Sequence, residues 1–110
     1  MIHNLTAGHF GSDGAVTKPL DMRIIRRLLD ELGEVDADGA PTLGGWRVRF
    51  QEGYVILPWK GGATNLVAEE FAARLQRETG CVLEDREHGR VFQAGQLAAE
   101  RAAAGGVMRD

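Results

Sequence analysis

Several things that would narrow the function of this chain are scarce or missing. Its 110 residues hold a single cysteine, Cys81, which has no partner for an internal disulfide. A reducing compartment, the cytoplasm, is therefore the expected location. No apolar run approaches the roughly 20 residues of a membrane span. The opening Met1-Ile2-His3-Asn4-Leu5 lacks the basic-then-apolar order of a secretory leader. Neither sign of charge dominates: the formal net charge is −3, which favours neither nucleic acid nor an acidic membrane as a general partner. There is no Gly-x-Ser-x-Gly, no His-Glu-x-x-His and no Cys-x-x-Cys, so the sequence points to no nucleophile elbow, zinc helix or redox pair. No cofactor and no metal is expected.

What is present suits an ordinary folded domain. Apolar residues make up 44% and charged residues 26%, which argues against disorder. A chain this long buries roughly two-thirds of its unfolded surface and needs no staple to fold. Residues 1–18, with Gly8, Gly11 and Gly14 around Ser12 and Asp13, read as a loosely ordered segment with at most a short edge strand near its start. Residues 19–110 then form one α+β domain.

Ile25, Leu28, Leu29 and Leu32 fall at i, i+3, i+4 and i+7, which predicts a helix over about 20–32, with Thr17 or Asp21 as cap and Gly33 as a left-handed stop. Residues 36–45 read as loop. Trp46, Val48 and Phe50 alternate with Arg47, Arg49 and Gln51, and a turn at Glu52-Gly53 leads into a return strand. That register sets Phe50 against Val55, Val48 against Leu57 and Trp46 against Trp59, all on one face, whereas a slip of one residue would scatter them. Pro58 marks an edge or an end. A second helix over 65–79 carries Val67, Phe71 and Leu75, with Glu70 and Arg74 spaced to pair, and Gly80 ends it. A second hairpin turning at 86–89 pairs Asp85 with Arg90 and Leu83 with Phe92, so that Cys81, Leu83, Phe92 and Ala94 share a core face. An alanine-rich helix runs to about residue 104.

A faint repeat links the halves. Arginine, leucine, glutamate, glycine and valine recur at the same offsets in 27–35 and 74–82. Two helix-plus-hairpin units would merge into a two-layer α+β sandwich: a four-stranded, mainly antiparallel sheet with the helices on one face.

Candidate sites follow from residue type and position. Lys60, Gly61, Gly62 and Thr64 enter a helix N-terminus, where an anion could sit. The lysine precedes the glycines, though, and Glu69 and Glu70 compete. Glu34, Asp36, Asp38 and Gly39 open like a calcium loop that then fails at Pro41 and Gly45. Glu84, Asp85, Glu87 and His88 cluster about a turn, but strand alternation divides them between faces. Cys81 reads as a small buried hydrophobe. Arg47, Arg49 and Tyr54 share the sheet's non-core face and would suit a single nucleic-acid strand. Arg23, Arg26 and Arg27 form a second basic patch beside Asp30 and Glu31. Tyr54 and Ile56, with Val82 and Val91 on the equivalent face of the second hairpin, form an apolar strip of the kind that marks a protein partner or a second copy. The leading expectation is a non-catalytic interaction module that forms a homodimer through this face. A nucleic-acid binder comes second and a small enzyme without a recognisable motif third.

Overall fold

Asp21 starts the first helix. Its carboxylate accepts a 2.9 Å hydrogen bond from the Arg23 amide and lies beside the Arg23 guanidinium, which holds its carboxyl below the ordinary value. Helix α1 (Met22–Leu32) follows and buries Ile25 and Leu28. It ends at Gly33, whose φ of −96° is not left-handed. Glycine is needed there for another reason: a Cβ would stand 2.8 Å from the Thr42 carbonyl oxygen and 2.9 Å from that of Leu29. Helix α2 (Leu66–Thr79) does end on a left-handed glycine, Gly80 at φ +70°. It buries Ala68, Phe71, Ala72 and Leu75. The computed structural model describes residues 4–58, 66–86 and 89–92.

The principal sheet is built around the segment that reads as loop. Strand β1 (Asn4–Phe10) pairs on one side with β7 (Val55–Pro58), setting Leu5 against Leu57 and Ala7 against Val55. On its other side it pairs with β8 (Val82–Asp85), setting Ala7 against Leu83. Strand β6 (Arg49–Phe50) flanks β7, and β9 (Arg90–Phe92) flanks β8. The order β6-β7-β1-β8-β9 is antiparallel throughout, and β2 (Val16–Lys18) pairs with the far end of β1. Residues 1–18 thus supply the central strand rather than an edge. The described strands of the two hairpins do not pair with each other; β1 joins them. The connections β1-α1-β6 and β7-α2-β8 each span one intervening strand, giving two interleaved split βαβ units.

A second sheet of three short strands, β3 (Glu34–Val35), β4 (Pro41–Leu43) and β5 (Trp46–Arg47), occupies the stretch read as loop. Gly44 and Gly45, at φ +61° and +89°, fold β4 onto β5 in a two-residue turn that needs positive φ at both positions. This hairpin competes for the strand expected to pair along the whole of β7. Only Arg49 and Phe50 pair there, opposite Ile56 and Val55 as the turn register requires. Before Val48 the chain pairs with β4 instead, which sets Trp46 opposite Leu43 and leaves it half exposed. Trp46 therefore leaves the expected six-residue core face, and Phe50, on the sheet's outer strand, is also partly exposed. Trp59, Ala94 and the alanine-rich C-terminal segment lie outside the described residues. The fold class is α+β, with nine described strands in two sheets instead of four in one.

Leu5, Ala7, Val55, Leu57, Leu83 and Phe92 form one core with Ile25 and Leu28 of α1 and Phe71 and Leu75 of α2, so both helices cover the same face. The second hairpin has the expected register, Leu83 opposite Phe92 and Asp85 opposite Arg90. The two helices are also tied by a reciprocal arrangement: Arg27 pairs with Glu78, and Arg74 pairs with Glu31 rather than with its own helix. These are the arginines and glutamates that recur in the sequence repeat, and they meet crosswise. Beyond Gly33 and Gly80 the halves diverge, since β3 joins the small sheet and β8 the large one. A double-mutant cycle on Arg74→Ala and Glu31→Ala should show a coupling of no more than about 1 kcal/mol that weakens with salt, as for other solvent-exposed pairs. A larger, salt-independent coupling would show that the pair is effectively buried.

Candidate functional site

The face of the large sheet away from the helices is set by strand alternation. A transverse row crosses β6, β7, β1, β8 and β9: Arg49, Ile56, Thr6, Glu84 and Val91, each paired with its neighbour. Beside it lie Tyr54, Gly8 and Val82. Thr6 is buried; Ile56, Tyr54 and Val82 are half-buried; and Val91 is exposed. No described helix lies over this face.

Phe10 shapes it. The β1–β2 pairing shifts register between His9 and Phe10, a local irregularity of the kind that re-aims side chains. The Phe10 ring lies back over Gly8 and meets Tyr54 edge-on, with ring centroids 5.6 Å apart and planes at 65°. Gly8 is required by this approach, because a Cβ there would stand 2.8 Å from the Phe10 ring and 2.9 Å from the Tyr54 Cβ. The Arg86 guanidinium lies 5.3 Å from the Phe10 centroid, a cation–π contact, and also donates to the Glu84 carboxylate at 2.9 Å. Phe10 thus forms a ridge along the middle of the face. Next to it is a shallow hollow of about 340 Å³ lined by Phe10, Gly11, Ser12, Val82, Glu84 and Val91.

Of the residues singled out in the sequence, Arg49, Tyr54, Ile56, Val82 and Val91 come together here. Arg47 does not. It belongs to β5, where its guanidinium donates to Asp36 at 2.5 Å and to Asp38 at 2.6 Å. The same contacts account for the calcium-like loop. Asp36 accepts from the amides of Asp38 and Ala40 as well as from Arg47, and these bonds, those of Ala40 foremost, hold its carboxyl below the ordinary value. An arginine fills the place a cation would take.

Among the described residues no three histidine, cysteine, aspartate or glutamate side chains converge to hold a metal. The candidate anion loop, Lys60, Gly61, Gly62 and Thr64, lies outside the described residues, as do Glu87 and His88 of the acidic turn. Cys81 is fully buried, and burial pushes its thiol up, which suits the hydrophobe reading and not a nucleophile. A larger groove of about 500 Å³ between the end of α1 and the small sheet offers only Arg26 and Asp30, on one helix face, and Glu34 as charged groups. No described helix is long and apolar enough to cross a membrane.

The sequence missed Phe10, Thr6 and Arg86 as members of the face. Phe10 and Thr6 fall in the segment that reads as loop, where only the sparse alternation of Leu5 and Ala7 with Thr6 and Gly8 points to a strand. No family model, no curated protein and no solved structure matches the chain, so the residues and geometry of this face carry the functional reading.

Proposed function

We propose that the chain is a non-catalytic protein-interaction module that binds through the open face of its large sheet. One observation carries the reading: Tyr54, Ile56, Val82 and Val91 surround the Phe10 ridge on a face that no described helix covers. Apolar side chains gathered around an aromatic ridge make a surface of the kind proteins use to meet other proteins. The loss of Arg47 from the set and the presence of Glu84 in the central row weaken the nucleic-acid alternative, which depends on an uninterrupted basic face. The unpaired, buried Cys81 supports a reducing compartment such as the cytoplasm.

A photo-reactive phenylalanine analogue placed at Ile56 tests the reading directly. In the source cells it should give a discrete protein adduct on irradiation, whereas the same group at Leu66, exposed on the helix layer, should give none. Labelling of RNA or DNA from position 56 would favour the nucleic-acid alternative. No adduct from position 56 would overturn the assignment of the face.

A further inference from the structure

We infer that the open face binds a second copy of this chain, with Arg49 of each copy paired to Glu84 of the other. The inference rests on the reading of the face as a protein-binding surface and adds what occupies it.

Arg49 and Glu84 stand in the same transverse row, on either side of the Ile56–Thr6 pair. They are three strands apart, roughly 14 Å at ordinary strand spacing, too far to pair within one chain. The Arg49 guanidinium has no hydrogen bond or ion pair among the described residues. The Glu84 carboxylate receives Arg86 on one oxygen and its side chain keeps 16% of its surface exposed, and a carboxylate can accept a second arginine on its other oxygen. A two-fold axis parallel to the strands, passing between β7 and β1, exchanges the β6 column with the β8 column. It therefore lays each Arg49 against the other copy's Glu84 and each Ile56 over the other copy's β1, at the level of the buried Thr6. The same operation brings Tyr54 over Phe10 of the second copy, which joins the two aromatic pairs into a cluster of four rings. Because the axis runs along the strands, the two sheets pack face to face in the aligned manner of a sandwich, about 10 Å apart. A two-fold interface needs one patch that complements itself, and a row with opposite charges flanking an uncharged centre meets that requirement.

A charge exchange tests the contact. By sedimentation velocity, the wild-type chain should run at twice its 12.0 kDa mass at high micromolar concentration. Arg49→Glu alone and Glu84→Arg alone each set like charges together twice per dimer and should weaken dimerisation at least about tenfold. Mixing the two single variants should restore dimerisation, because every 49–84 contact in the mixed dimer is again between opposite charges. The mixing also shows that each variant is folded. A wild-type dimer indifferent to both substitutions, or a mixture that stays monomeric, would overturn the inference. So would a wild-type chain that stays monomeric; in that case a covalent adduct from position 56 with a different protein would leave the interaction reading standing with another partner, and its absence would remove both.

Discussion

A chain that begins at Gly11 is expected not to fold. The truncation removes β1, and with it both of the strand pairings that hold the large sheet together. Strands β7 and β8 would be left parallel to one another with a one-strand gap of roughly 10 Å between them, too wide for hydrogen bonds. Leu5 and Ala7, both fully buried against the helices, would go as well. Truncating Leu5 alone to alanine should cost about 2–5 kcal/mol as a core cavity. A domain of this size is stable by about 5–15 kcal/mol in total, so loss of the whole strand exceeds what the fold can tolerate. Far-UV circular dichroism on heating should show no cooperative transition in the shortened chain. A cooperative melt with native near-UV signal would mean that the two hairpins pair directly into a four-stranded sheet, the arrangement expected from the sequence.

The contrast between that expectation and the observed sheet shows which signals the sequence carries. Local pairing was legible where a turn fixes it. The hairpin at 86–89 has the expected register, and the turn at Glu52-Gly53 sets Phe50 opposite Val55 and Arg49 opposite Ile56. In both, the apolar alternation and the glycine position agree, and a one-residue slip would move every apolar side chain to the wrong face. The helices were legible for the same reason, since their stripes have the helical period.

Long-range pairing was not legible. β1 turns Leu5 and Ala7 toward the core and Thr6 and Gly8 to its other face, where the Phe10 ring occupies the space above the glycine. A central strand with small residues on both faces looks like loop when read alone. The small sheet did leave a local signal: Gly44-Gly45 between short apolar runs is a hairpin turn. Once β4 and β5 pair, the strand after Trp46 must change sheets at Val48, and Arg47 turns to Asp36 and Asp38 instead of the open face. The sequence therefore places Arg49, Tyr54, Ile56, Val82 and Val91 on one face and misplaces Arg47.

Replacing Gln76 should have the second large effect, and its pH dependence identifies the cause. Gln76 is fully buried on α2, and its amide nitrogen donates to the carbonyl oxygens of Cys81, at 3.1 Å, and of Phe92, at 2.9 Å. One side chain thus ties the helix layer to the start of β8 and the end of β9. Gln76→Leu would leave both carbonyls in the interior without this donor, at about 1–3 kcal/mol each. Gln76→Glu separates hydrogen bonding from shape. A protonated glutamic acid can still donate to one carbonyl, whereas the carboxylate would face two oxygens with no proton to offer. Its folded pKa must then lie above the ordinary value of about 4.3. For a carboxyl whose pKa rises on folding, the protonated form is favoured in the folded state, so stability is greatest at low pH. It falls as pH rises above about 4.3, by up to about 1.4 kcal/mol per pH unit, until the folded pKa is passed. Relative to wild type, Gln76→Glu should therefore lose little in urea unfolding at pH 4 and much more at pH 7, while the deficit of Gln76→Leu stays constant. Equal deficits for Gln76→Glu at both pH values would show that the side chain reaches water and does not bridge the two strands. Because β8 and β9 carry Val82, Glu84 and Val91, loosening this tie should also weaken the proposed self-association, even though Gln76 lies on the opposite side of the sheet from the proposed contact.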